Sequence, residues 1–577
     1  MRIDVEKLTT TLRDGTPILD DVTFSVQPGE MVAIVGGSGA GKTTLLEAMA
    51  GTRIAERGTV RFDGVDAYER LDEFRSRLGF VPQDDIIHAE LPLERTLRYA
   101  AMLRLPDATA EDLDQILAET LRQLDLSDRG SVRVGALSGG QRKRASIAVE
   151  LLTSPHVFFL DEPTSGLDPT TSAELMRLLR HLAHGGTTVV FTTHSIQDLQ
   201  VCDRIVFLAS GGRLAFAGTP DEAHNYFRVE TLERVYERLA TEDTPQAWAS
   251  RFGNFRTEQP GPEPPPAGEV APSFEPSARR RAGPVRQWFV LTRRTAETLA
   301  RNRLTLAILL GSPVMVVAMF AVLFRSGAFD FGNPSPTSII MIIFWVAFGG
   351  FFFGLTYGLL QICTEVAIVR RERLVGLNLA SYIASKITVL LPFLLVVDVL
   401  MLGVLRALDR LPAASTVTYL EVGVTLALDA AAALALGLLT SAAVGNPSQA
   451  TLALPMLCFP AVLFSGAILP VHVMAPVGKA ISLVMHDRWA FEAIGHSLDV
   501  REIFAHGGSP LGPPLLREYG DAGTRALGAY WSYLVGFTLF FALMSWGVLE
   551  RKCRTRGGRR RGHELAGETT DVARHAP

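Results

Sequence analysis

Residues Gly36-Gly37-Ser38-Gly39-Ala40-Gly41-Lys42-Thr43-Thr44 follow the apolar run Met31–Val35. A glycine-rich turn between a strand and a helix lets successive backbone N–H groups wrap a chain of phosphates, and the positive end of the helix dipole adds to the attraction. Lys42 is then placed to neutralise the β and γ phosphates of a nucleotide, while the Thr43 hydroxyl completes the coordination of Mg²⁺. ATP and Mg²⁺ are the expected cofactors.

A second group of residues supplies what the loop lacks. Asp161 and Glu162 end the apolar run Val157-Phe158-Phe159-Leu160. Asp161 can hold the metal, and Glu162 beside it can polarise an attacking water. Buried carboxylates without such work are costly. Ser138, Gly139 and Gly140 precede the stretch Gln141–Leu152, which reads as a helix, so their N–H groups form another seat for an anion.

These residues need a scaffold that delivers them to one place. From the N-terminus to about residue 227, short apolar runs such as Met31–Val35, Val157–Leu160 and Thr188–Thr192 alternate with helical stretches, the pattern of an α/β domain with a mostly parallel sheet. Such sheets bind ligands at the carboxyl ends of their strands, where both motifs fall. A nucleotide-binding domain is expected over 1–230.

The rest of the chain has another character. With 577 residues, 48% of them hydrophobic and 20% charged, a soluble part and a membrane part must coexist, and a net charge of −4 gives no basic field to suggest nucleic acid as a partner. Residues 231–284, with Pro262, Pro264, Pro265, Pro266 and Pro272, read as a proline-rich linker, and 285–303 as an amphipathic helix at the membrane surface. Six apolar runs follow within 304–550: Leu304–Leu323, Ser338–Leu360, Ile387–Leu405, Leu420–Ala443, Leu452–Leu469 and Tyr530–Leu549. Each is long enough to cross a bilayer, giving an all-α six-helix transmembrane domain. Arg370, Arg371, Arg373 and Lys386, then Arg551, Lys552 and Arg554 in the basic tail 551–577, place both termini in the cytoplasm and leave 471–529 as a long external segment.

The block Asp161 through Pro163, Thr164, Ser165, Gly166, Leu167 and Asp168, with Leu137-Ser138-Gly139-Gly140-Gln141 and His194, resembles the ATP-binding-cassette (ABC) superfamily. Gly79-Phe80-Val81-Pro82-Gln83-Asp84-Asp85, Leu93–Leu97 and Leu103-Arg104-Leu105-Pro106, together with the order cassette first and membrane domain second, resemble the G (White) subfamily and its bacterial relatives, with an ABC-2 type membrane domain. In the membrane half, Glu365–Arg373 with Ser381, Tyr382 and Lys386 resembles that family's cytoplasmic elbow, and Phe464-Ser465-Gly466 its fifth-helix end. The resemblance implies that Gln83 senses the nucleotide and reaches the Mg²⁺, that His194 contacts the γ-phosphate, and that Asp168 lies at a dimer seam. It further implies that Ser138, Gly139 and Gly140 face ATP held by the opposite subunit, and that the elbow around Glu372 carries ATP-driven closure to the helices. The family usually stacks an aromatic ring on adenine from near Thr11, Leu12 or Arg13. None of these is aromatic, and Arg13 is either a stacking guanidinium or a solvated surface side chain.

The expected protein is a half-transporter acting as a homodimer in the cytoplasmic membrane, an ATP-hydrolysing exporter of a lipid, lipid-linked or amphipathic small molecule. The alternative is a mechanotransmitter, in which ATP drives an external partner docked on 471–529 and no solute moves. Asp398 and Asp429, inside the third and fourth spans, either touch substrate or hydrogen-bond between helices. The aromatic run Phe344, Trp345, Phe348, Phe351, Phe352, Phe353 reads as a packed or lipid-facing stripe. His472, His486, His496 and His506 share no helical face and read as surface histidines rather than a metal site.

Overall fold

The computed structural model describes residues 1–12, 14–241, 243–258, 281–519 and 523–554. Ten strands form in its first part: β1 Ile3–Thr11, β2 Pro17–Val26, β3 Met31–Gly36, β4 Arg57–Phe62, β5 Val65–Asp66, β6 Leu78–Val81, β7 Val157–Leu160, β8 Thr188–Thr192, β9 Arg204–Ala209 and β10 Arg213–Gly218. They build a four-stranded sheet in the order β2-β1-β4-β5 and a six-stranded sheet in the order β10-β9-β3-β8-β7-β6. In the larger sheet β9, β3, β8, β7 and β6 run parallel, and β10 closes the edge antiparallel to β9. Every residue of β3, β7 and β8 is buried, which is why these strands read as unbroken apolar runs rather than alternating ones.

The chain divides into two compact units, 1–282 and 283–553, with Leu374–Gly376 and Arg554 grouped with the first. The expected linker over 231–284 is corrected in its first half. Helices Glu233–Thr241 and Pro245–Glu258 form there. Trp248 and Phe252 are buried in the core of the first unit, Trp248 with its ring 5.4 Å from Phe227 and Phe252 5.6 Å from Phe216 of β10. Large aromatic side chains repay their burial, so this stretch belongs to the domain rather than to a spacer. The proline-rich residues 260–276, Arg13, and most of the basic tail lie outside the described residues.

The second unit is helical. Among the described residues five helices are long and apolar enough to cross a membrane: Pro336–Leu359, Leu379–Ala407, Thr416–Ala443, Pro447–Phe464 and Leu527–Cys553. The first expected span coincides with the 21-residue helix Arg303–Leu323, only part of whose side chains are described. Pro336–Leu359 and Thr416–Ala443 meet along a seam of small residues: Gly350, Gly354 and Gly358 on one, Ala430, Ala433 and Gly437 on the other. A Cβ placed on Gly358 would lie 2.6 Å from the Leu434 carbonyl oxygen, and one on Gly437 2.5 Å from that of Leu355. Small side chains are what allow two backbones to approach so closely where no hydrophobic effect drives helices together.

The expected amphipathic helix is present as Pro284–Arg301 and buries Gln287, Val290, Leu291, Arg294 and Leu299. Arg294 forms a buried two-pronged pair with Glu372 of helix Val366–Leu374, one prong at 3.0 Å. Nearby, Glu365 accepts from Lys386 at 2.8 Å and from the Tyr382 hydroxyl at 2.7 Å. The charged elbow read from sequence is thus held by ion pairs inside the second unit.

Candidate functional site

The loop after β3 sits where the sheet order reverses, with β9 on one side of β3 and β8 on the other, the position at which such sheets open a crevice for ligands. Gly41 has φ of +91°, and a Cβ there would meet the Ile18 carbonyl oxygen at 2.5 Å, so only glycine fits before helix Lys42–Met49. The Lys42 ammonium folds over the loop and donates to the carbonyls of Gly36 at 3.0 Å and Gly37 at 3.1 Å. The loop therefore holds a cation at a helix N-terminus, an arrangement suited to an anion of several charges.

Three strands, β6, β7 and β8, bring the remaining groups to this loop. Asp161, buried at the end of β7, accepts at Oδ1 from the hydroxyls of Thr43 (3.2 Å) and Thr192 (2.5 Å). A hydroxyl and a carboxylate converging in this way are hard oxygen donors, the set that suits Mg²⁺. Glu162 follows with φ of +44°, a left-handed conformation uncommon for this residue type, and its N–H is held by the Thr192 hydroxyl at 2.9 Å. The Glu162 carboxylate accepts from the Gln83 amide at 3.0 Å and lies 3.6 Å from His194 Nδ1. Gln83, Glu162 and His194 thus come from three loops, after β6, β7 and β8, and form one cluster at the mouth of the site.

Ser138, Gly139, Gly140 and Asp168 form a second group. Ser138 caps helix Gly139–Leu151 in a reciprocal box with Gln141, and Asp168 caps helix Pro169–His184 by accepting from the N–H groups of Thr170 and Thr171 and from the Thr171 hydroxyl at 2.6 Å. The Thr171 hydroxyl bond holds the exposed Asp168 carboxyl below its ordinary range. Among the described residues no hydrogen bond joins this group to the Lys42–Glu162 cluster.

Three functional side chains escape a reading of the sequence alone. Thr192 is one, because its place opposite Asp161 depends on the register that sets Leu160 of β7 beside Phe191 of β8. Asp198, buried, accepts from the hydroxyls of both Thr164 and Thr193 at 2.7 Å and so ties the segment after Glu162 to the one carrying His194. Lys143 is the third: from helix Gly139–Leu151 its ammonium donates to the Gln83 carbonyl at 2.6 Å and lies 3.9 Å from Asp85. Burial pulls the Lys143 ammonium below its usual range and pushes Asp85 above its own, each opposed by the other's charge.

In the second unit His486 departs from expectation. It is buried rather than on the surface, with Nδ1 2.8 Å from Asp429 Oδ1. Asp429 gives the imidazole a partner that a sequence pattern of isolated histidines does not reveal. The aromatic run stacks along one helix, Phe344 on Phe348 and Phe348 on Phe351, with Phe344, Phe351 and Phe353 buried, as a packed stripe.

Comparison with known proteins agrees with these two units. The family described as ABC transporter matches residues 19–165, and the family described as ABC-2 type transporter matches residues 286–497. The chain is 34% identical over 506 residues to the ABC transporter ATP-binding/permease protein Rv1747 of Mycobacterium tuberculosis, covering 86% of this chain and 58% of that protein. It is 39% identical over 220 residues to ABC transporter G family member 26 of Arabidopsis thaliana, covering 36% of this chain and 31% of the relative. The chain thus spans less than two thirds of the length of either relative. A solved structure of cbiO1 from Clostridium perfringens, part of the ABC transporter complex cbiONQ, aligns over 41% of this chain and 98% of its own at 27% identity with a TM-score of 0.37.

Proposed function

We propose, for a chain that belongs to the ABC transporters through an ABC ATPase domain followed by an ABC-2 type membrane domain, that ATP hydrolysis in a homodimer drives export of a lipid, lipid-linked or amphipathic small molecule. The observation that carries the dimer is the separation of the two groups of the site. The Lys42 loop with Asp161 and Glu162 can hold and hydrolyse ATP, whereas among the described residues the side chains of the exposed cap residues Ser138 and Asp168 are bonded within their own helix starts. Two copies arranged head to tail would set the Ser138 group of one against the nucleotide of the other and yield two complete sites.

In that site the loop N–H groups from Gly37 to Thr44 and the Lys42 ammonium bind the β and γ phosphates. Thr43 and Asp161, with Gln83 at the edge, would hold Mg²⁺, which would neutralise phosphate charge. Glu162 takes the proton of the attacking water, oriented by the Gln83 amide, and His194 reaches the γ-phosphate. Arg370, Arg371 and Arg373 at the elbow and Arg551 and Lys552 at the end of the last span favour a cytoplasmic membrane location with both termini inside.

ATP hydrolysis by the purified protein in lipid nanodiscs, wild type beside Glu162→Gln, titrated with fractionated lipids and amphiphiles, tests this reading. Stimulation by one fraction, absent in the variant, supports export and narrows the substrate. Activity that no fraction changes rejects the exporter.

A further inference from the structure

Three acids and one imidazole lie inside the membrane unit at 0 to 3% exposure: Asp398, Asp429, His486 and Asp487. They come from three elements, Leu379–Ala407, Thr416–Ala443 and the first turn of His486–Ser497. Apart from the Asp429–His486 bond, their polar atoms are unpaired among the described residues: both oxygens of Asp398, both of Asp487, Oδ2 of Asp429 and Nε2 of His486. The surroundings are apolar and tight. Phe351 lies 5.3 Å from the imidazole, Phe537 and Phe541 each 6.2 Å, and a Cβ on Gly350 would sit in van der Waals contact with Asp429 Oδ2 at 3.4 Å.

The charges that reach this cluster can be named element by element. Asp398 and Asp487 each interact with Asp429, and Asp429 with His486. Helix Pro447–Phe464 adds the Cys458 thiol, within electrostatic reach of Asp487, and Pro336–Leu359 the Tyr357 hydroxyl, within electrostatic reach of Asp398. Leu527–Cys553 presents Phe537 and Phe541 to the imidazole. Arg488, next in sequence, is taken by Glu492 at 2.7 Å and by Ser482 at 2.9 Å. Among the described residues no lysine or arginine therefore offsets three carboxylates held out of water, an arrangement that an apolar interior strongly disfavours in ionised form. A proton is the one cation that needs no added room and that each unpaired oxygen can take.

We propose that Asp398, Asp429, His486 and Asp487 form a proton-binding site in the membrane unit. Three protons bring the cluster to neutrality: one on Asp398, one on Asp487, and one shared across the 2.8 Å Asp429–His486 bond. The shared proton is tied to conformation, because any movement that parts helix Thr416–Ala443 from helix His486–Ser497 breaks the bond, admits water and releases it.

Infrared difference spectra of the full chain in lipid nanodiscs, in H₂O and D₂O, test the site directly and do not depend on transport. A buried protonated carboxyl band at neutral pH, moved by D₂O and losing one carboxyl's share in each of Asp398→Asn and Asp487→Asn, is expected. Absence of that band, or a band the substitutions leave intact, overturns the proposal. Asp487→Glu covers the case in which asparagine prevents folding, since it keeps the acid but relocates it: its band must shift, and an unmoved band counts against the site.

Discussion

The Lys143 ammonium, carried on the helix that Ser138 caps, donates to the Gln83 carbonyl at 2.6 Å, so the body of that helix holds the backbone of the Gln83 loop while its capped start stays apart from the Lys42–Glu162 cluster. Lys143→Met keeps the length of the side chain and removes the donor. A hydrogen bond to a charged group contributes about 1.5–3 kcal/mol, so hydrolysis is expected to fall by roughly tenfold or more while nucleotide affinity is kept. Steady-state ATPase rates beside an equilibrium nucleotide titration check this; equal rates would mean that Gln83 is placed without Lys143.

The same residue gives a pH signature. Burial is the first cause of its lowered folded-state pKa, so over the interval below the ordinary value of 10.5 the unfolded chain binds this proton more tightly than the folded one. Stability contributed by this group therefore rises with pH across that interval. Melting temperatures of wild type and Lys143→Met should diverge in favour of wild type as pH is raised toward 10.5. Parallel curves would exclude a buried, charge-shifted lysine.

Glu162→Gln keeps the shape and the contact with Gln83 but loses the base. General-base catalysis is worth about 10²–10⁴-fold, so turnover should drop by that factor with ATP binding retained. Undiminished hydrolysis would move the base to another side chain.

Lys42→Ala acts on the earlier step. Removing a charge-assisted contact to phosphate should weaken nucleotide binding by about tenfold or more, read by titration with a fluorescent ATP analogue. An unchanged dissociation constant would contradict the assignment of the loop.

Arg294→Met removes the guanidinium from which both carboxylate oxygens of buried Glu372 accept. Breaking one side of a buried pair costs about 3–5 kcal/mol, so the thermal transition of the membrane unit should fall markedly, and Arg294→Met combined with Glu372→Leu should recover much of the loss. A double variant no more stable than the single one would show that the pair does not act as a unit.

What the sequence discloses and what it hides follow from distance along the chain. The loop ending in Lys42 and Thr43, and the Asp161–Glu162 pair after an apolar strand, are local patterns whose geometry is set by the residues themselves. The spans are legible for the same reason, as runs of apolar side chains. Thr192, Asp198 and Lys143 are not, because each meets its partner through sheet register or helix packing. His486 reads as a surface histidine until Asp429 is placed beside it, 57 positions earlier. Trp248 and Phe252 stand close to a proline-rich tract, and composition averaged over that tract conceals two side chains that belong to the ATPase core.

The seam of Gly350, Gly354 and Gly358 against Ala430, Ala433 and Gly437 constrains how this chain can vary. A larger residue at Gly354, Gly358 or Gly437 pushes into the opposite backbone rather than into a flexible side chain, so substitutions there are tolerated only as compensating sets. In a deep mutational scan these positions should stand out as narrow columns on helices that otherwise accept almost any apolar residue.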